Sequence, residues 1–118
     1  MPDRVHVNEE LGIIEVESYG VVSKDDIAQS IAEARQILEE RELRRILVDT
    51  TNQQAMLDTT SIFELFSTFP GDFKIAVLVQ PSQITAEDVS FAETVAANRG
   101  IHIRIFSKRE TSLQWLNG

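Results

Sequence analysis

Hydrophobic residues recur along the chain with two periods, and the switches between those periods mark out the elements. Residues 4–8, Arg-Val-His-Val-Asn, alternate with period two and place Val5 and Val7 on one face, which predicts an edge strand. Glu9-Glu10-Leu11-Gly12 reads as a short turn, and Ile13 to Glu17 as a second strand with Ile14 and Val16 on one face and Ile13, Glu15 and Glu17 on the other. So short a connection makes an antiparallel hairpin. Ser23 caps a helix predicted over 24–41: Asp25 and Asp26 suit the positive pole of its first turn, and Ile27, Ile31, Ala34 and Leu38 form one apolar stripe opposite Glu33, Gln36 and Glu40. Arg45–Asp49 and Phe73–Val79 are short, continuously apolar strands of the kind covered on both faces.

The second half repeats the alternation of strand and helix. Asp58 or Thr59 caps a helix whose stripe is Ile62, Leu65, Phe66 and Phe69, ended by Pro70-Gly71. Thr85, with Asp88 three residues on, caps another, with Val89, Ala92, Val95 and Ala96 as its buried stripe and Gly100 just past its end. Ile101, Ile103 and Ile105 alternate with His102 and Arg104, a half-exposed edge strand, and Ser107-Lys108-Arg109-Glu110 reads as a capping box opening a short terminal helix that packs Leu113 and Leu116. The order is β-β-α-β-α-β-α-β-α. Strand–helix–strand units cross over right-handed and build a mostly parallel sheet. The expectation is therefore one α/β domain spanning 1–118, with a mixed five-stranded sheet, an N-terminal antiparallel hairpin and about four helices.

The densest run of short polar groups follows the central strand. Between Asp49 and Ser61 lie two carboxylates, four threonines, one serine and three side-chain amides. Asp49 ends a strand at the edge where open α/β sheets bind ligands. Its simplest role is to accept hydrogen bonds from N–H groups of the following loop. Asn52, Gln53 and Gln54 offer a polar recognition edge. Phe63 lies off the helical stripe, either as second-layer core or as an aromatic partner contact.

At these residues the chain resembles the STAS domain, the fold of bacterial anti-sigma-factor antagonists, and its SpoIIAA-like relatives. The resemblance rests on the order of elements, on Ile46-Leu47-Val48-Asp49, on Leu57-Asp58-Thr59-Thr60-Ser61 opening a helix, and on Phe91-Ala92-Glu93, Arg99-Gly100-Ile101, Ile105-Phe106 and Trp115-Leu116. It implies a non-enzymatic regulatory module that binds a protein partner, such as an anti-sigma kinase or another regulator. In regulated members an Asp-Ser-Ser/Thr-Gly motif opens the helix, and its Ser or Thr is phosphorylated by the partner kinase. By position Asp58 matches the motif Asp and Thr60 the acceptor, with Thr59 and Ser61 as alternates; the motif Gly is Ser61 here. The implied partner surface is Asp49, Thr50, Asn52, Asp58 and Phe63. A phosphate on Thr60 would add roughly -1.5 to -2 charges beside Asp58, and that repulsion would release a partner. The plain alternative is that Asp58 caps its helix, worth about 1 kcal/mol, and nothing is modified.

Composition narrows the remaining classes. The net charge of -8, from 11 basic and 19 acidic residues, repels phosphate backbones and anionic lipid, so no nucleic-acid partner is expected. Arg41, Arg44 and Arg45, and again Arg99, Arg104, Lys108 and Arg109, form local basic groups that read as solvated helix ends. There is no cysteine, hence no disulfide or thiolate metal site, and the N-terminus lacks the basic-then-apolar run of a signal peptide. No apolar run approaches the roughly 18 residues of a membrane span. These features are consistent with the cytoplasm.

His6 and His102 lie on alternating edge strands and read as solvated, and no metal-spaced set, nucleophile motif or phosphate loop occurs. No catalytic residue, metal or cofactor is expected. Two further expectations stay open. Phe63, Phe66, Phe69 and Phe73 make one stretch aromatic, so a small apolar ligand or lipid carried between that helix and the sheet is the alternative function. The edge strand 101–106 can pair with itself, which would give a homodimer.

Overall fold

A computed structural model describes residues 3–20, 24–53, 66, 72–82 and 85–118. Strands β1 (Asp3–Asn8) and β2 (Ile13–Gly20) form the expected antiparallel hairpin, with Val5 opposite Val16 and Val7 opposite Ile14. The turn depends on Gly12, whose φ of 67° lies in the left-handed region that glycine enters without strain. Its N–H donates to the Asn8 carbonyl at 2.9 Å, and the Asn8 side chain accepts from the Leu11 N–H at 3.2 Å, an Asn closing its own turn.

Helix α1 (Lys24–Glu40) follows, then β3 (Arg45–Gln53), β4 (Lys74–Leu78), α2 (Ala86–Asn98), β5 (His102–Phe106) and α3 (Arg109–Asn117). The strands stand in the order β1-β2-β3-β4-β5, antiparallel at the hairpin and parallel across the rest. The fold is thus the expected α/β domain with a five-stranded mixed sheet. Three helices lie among the described residues. The expected helix opening at Asp58, and the caps at Ser23 and Asp58, lie outside them, apart from Phe66, which is helical and buried.

Two apolar layers hold the sheet. On one face Ile14, Val16, Ile46, Val48, Ile75, Val77 and Ile103 meet Ile27, Ile31, Ala34 and Leu38 of α1, Ala92 and Ala96 of α2, and Phe66. On the other face Ile13, Leu47, Ala76 and Leu78 meet Leu116 of α3, with Leu113 and Trp115 beside it. The continuous apolar runs of β3 and β4 are therefore buried from both sides. Each fully buried Ile or Leu contributes roughly 2 kcal/mol by removal from water, so α1 alone is fastened by three such side chains.

Helix ends follow local chemistry, with one departure. Thr85 caps α2 by accepting from the Asp88 N–H at 3.1 Å, and Gly100 takes a φ of 72° beyond its end. The capping box expected at Ser107–Glu110 does not form: the N-cap of α3 is Lys108, with no side-chain cap bond. Ser107 stands one residue too early, because β5 runs to Phe106 and the helix starts only at Arg109.

At the end of α1 a non-glycine residue, Glu42, holds a φ of 57° while the Leu43 N–H reaches back to the Leu38 carbonyl at 2.8 Å. Left-handed backbone costs an L-residue roughly 1–2 kcal/mol. Glu42→Gly is accordingly expected to stabilise the fold by about 0.5–1 kcal/mol, the freer unfolded chain offsetting part of the gain. Urea denaturation checks this, and an unchanged or lower midpoint would contradict it.

Candidate functional site

The carboxyl ends of β2 and β3 form the rim to which the polar run belongs. β3 does not stop at Asp49. It continues to Gln53 past an irregularity: Glu17 pairs with Asp49 and Tyr19 with Asn52, so Ser18 stands opposite the two residues Thr50 and Thr51. One extra residue in β3 is a bulge, which turns the strand and re-aims its side chains. Asp49 braces it. Its Oδ1 accepts from the Thr51 N–H at 2.9 Å and from the Thr51 hydroxyl at 2.6 Å. Asp49 thus serves backbone ordering, as its simplest role predicted.

Thr50 turns inward. It is buried, and its hydroxyl donates to the Leu78 carbonyl at 2.8 Å, tying β3 to β4. It is a structural pin and offers no exposed surface. Asn52 is exposed at the rim. The Gln80 side-chain amide donates to the Thr51 carbonyl at 2.6 Å, joining the end of β4 to the same rim. Asp58, Thr59, Thr60, Ser61 and Phe63 lie outside the described residues.

Sequence reasoning missed a second polar group on the α3 side of the sheet. Glu15 is only 4% exposed. Its Oε1 lies 2.6 Å from Nη1 of Arg109, and its Oε2 accepts from Nη2 of Arg109 and from Nδ2 of Asn8, each at 2.9 Å. The Nε2 of His6 is 3.8 Å from the same carboxylate. Burial pushes the Glu15 carboxyl up, but the hydrogen bonds from Arg109 and Asn8 and the charges of Arg109 and His6 outweigh it, so the group titrates below its ordinary value.

Two readings of basic residues change with this geometry. Arg109, though exposed, is more than a solvated helix-end cation: it stands at the first turn of α3, where the dipole disfavours it, and is held there by Glu15. His6 is half-buried beside Glu15 rather than freely solvated. Three of the other basic residues are paired at the surface: Arg41 with Glu9 at 2.7 Å, Arg44 with Asp72 at 2.6 Å and Arg104 with Glu93 at 3.7 Å.

Towards the rim this face becomes acidic. Glu17 and Asp49 are direct cross-strand partners, and Arg4 pairs across from Glu17 in β1. Tyr19 donates its hydroxyl to Glu17, and that bond raises the phenol above its ordinary value. Among the described residues no three or more His, Asp or Glu side chains converge in a geometry suited to a metal ion, and no helix is long and apolar enough to cross a membrane.

Two solved structures share this architecture. An anti-sigma factor antagonist from Mycobacterium paratuberculosis matches with a TM-score of 0.71 and 8% identity, covering 98% of this chain and 93% of that one. An uncharacterized protein of the DUF3478 family from Shewanella loihica PV-4, described as having a SpoIIAA-like fold, matches with a TM-score of 0.61 and 14% identity, covering 97% of this chain and 91% of that one. The fold is SpoIIAA-like. At these identities the likeness is one of fold. No protein-family model and no curated protein sequence matches the chain. The SpoIIAA-like frame sets the bulged end of β3 at the carboxyl rim of a largely parallel sheet. The polar run from Gln54 to Ser61 continues directly from it in the chain.

Proposed function

We propose that the chain is a regulatory protein-interaction module of the STAS type, without chemistry of its own, acting in the cytoplasm. The observation that carries this reading is the SpoIIAA-like fold over nearly the whole chain, shared with an anti-sigma factor antagonist. The partner surface is the carboxyl rim, with Asp49 and Asn52, together with Asp58 and Phe63 of the segment that follows. The rim supports recognition rather than turnover: Asp49 is occupied in bracing Thr51, and Thr50 is buried in a bond to Leu78.

Thr60, with Thr59 and Ser61 as alternates, is the proposed phosphoacceptor. A phosphate there would add roughly -1.5 to -2 charges two residues from Asp58 in the chain, and that added negative charge would weaken the hold of an acidic partner surface. Mass spectrometry of the protein purified from its native host should find one phosphate in the peptide spanning 58–61, absent from Thr60→Ala. A peptide free of phosphate under every growth condition would remove the switch while leaving the binding module to be tested by partner capture. A partner that still bound when Asp49 and Asn52 were both replaced by Ala would remove the surface.

A further inference from the structure

The open edge of the sheet carries an inference that stands apart from the rim. Among the described residues β5 is the last strand, and β4 is its one neighbour. In a parallel pair successive residues point their backbone groups alternately toward the neighbour and away from it. The Phe106 carbonyl accepts from the Val79 N–H at 2.8 Å, so Phe106, Arg104 and His102 face β4. Ile101, Ile103 and Ile105 therefore face outward, where another strand could add.

Two of those three outward donors are already taken. The Ile101 N–H donates to the Ala96 carbonyl at the end of α2, at 2.9 Å. The Ile105 N–H donates at 3.0 Å to Oε2 of Glu93, a side chain that reaches across from the middle of α2. The same carboxylate oxygen lies 3.7 Å from Nε of Arg104. A second copy of β5 adding antiparallel must set outward residues opposite one another, and the register that uses all three centres on Ile103 opposite itself. That register needs Ile105 to donate to Ile101 of the other copy. It also places Arg104 across from His102 at a closely spaced pair, two basic side chain types face to face.

We propose that Glu93 is an edge guard: its carboxylate occupies the Ile105 backbone donor and keeps β5 from pairing with β5 of a second copy. Only Ile103 keeps an outward donor with no described partner, and one such donor is too little to seed a ladder. Removing the guard frees the Ile105 donor and releases Arg104 from the same carboxylate, while the Ile101 bond to Ala96 stays in place. Glu93 is part of neither the rim nor the Glu15 cluster, so the result does not depend on the proposed function.

Sedimentation across a concentration series tests the guard, combined with hydrogen exchange at the Ile103 and Ile105 amides. Glu93→Ala is expected to self-associate at least about tenfold more tightly than the unaltered protein, the worth in an equilibrium constant of the two Ile105 strand bonds, one from each copy, that a symmetric pair gains. Its Ile105 amide should exchange faster when dilute and become protected with Ile103 on association. Glu93→Gln keeps a carbonyl acceptor and should behave as the unaltered protein. The proposal is overturned if Glu93→Ala stays as monomeric as the unaltered chain, if Glu93→Gln associates equally, or if association leaves both amides unprotected.

Discussion

Arg109→Ala should destabilise the protein by about 2–4 kcal/mol at neutral pH, while Glu15→Gln should cost about half as much. The asymmetry follows from burial. The Glu15 side chain is 5% exposed and that of Arg109 45% exposed. Removing Arg109 strands a buried carboxylate with only Asn8 and, at 3.8 Å, His6. Removing the carboxylate charge leaves a guanidinium that water can reach. The expected cost lies below that of a fully buried pair because solvent already screens one partner.

The same pair sets a pH signature. In the folded protein Glu15 titrates below its ordinary 4.5: burial alone would raise it, and Arg109, Asn8 and His6 reverse the sign. A carboxyl depressed on folding adds stability above its unfolded value, and that stability is lost as pH falls through the folded value. Without Arg109 burial dominates and the folded value rises. The deficit of Arg109→Ala is therefore full at neutral pH, shrinks as pH falls through the variant's raised value, and is gone once pH lies below the depressed value of the unaltered protein, where the carboxyl is protonated in both. Urea denaturation at neutral and acidic pH reads this directly. An equal deficit at both, or a larger loss for Glu15→Gln, would break the account.

The Glu15 pair also shows where sequence reading reaches its limit. Strands β1 to β5, the hairpin and the apolar faces of α1 and α2 follow from local periodicity, because each element buries a stripe that its own residues announce. Glu15 and Arg109 lie 94 positions apart, and no local pattern joins them. One signal was present: a Glu between Ile13-Ile14 and Val16, in a strand both of whose faces are otherwise apolar there, must meet a counter-charge or stay out of the core. Choosing Arg109 required knowing that α3 lies across that face.

The same absence of tertiary information misassigned Ser107 as a cap and ended β3 at Asp49. Thr50, Thr51 and Asn52 have loop-like composition. They stay in the strand because a bulge, braced by Asp49, lets Thr50 reach the Leu78 carbonyl. At the rim, Asp49 and its bracing role were legible, since a short acid at a strand end meets backbone donors nearby. The involvement of Glu17 and Tyr19 was not, because it depends on which residue of β2 stands beside Asp49.

Phe66→Ala is expected to cost about 3–5 kcal/mol, a fall in Tm of roughly 10–20 °C for a domain of this size, while Phe66→Leu should cost under about 1.5 kcal/mol. Phe66 is the one described residue between Gln53 and Asp72, and at 2% exposure it belongs to the main core with Ile31, Val48, Val77 and Ala92. Its ring is the largest fully buried side chain there, so truncation removes both its transfer free energy and the contacts of its neighbours. The substitution also separates two readings of the aromatic stretch. If Phe66 is structural core, stability falls by the full amount and no apolar ligand restores it beyond what a new cavity of benzene size would take up. If the stretch lines a ligand-carrying pocket, the ring already borders empty space. Its loss should then cost little in the unliganded protein, and a bound lipid should stabilise the unaltered chain more than the variant. Thermal melts of both proteins, with and without a fatty acid, decide between them, and a loss under about 1 kcal/mol would transfer the argument to the carrier.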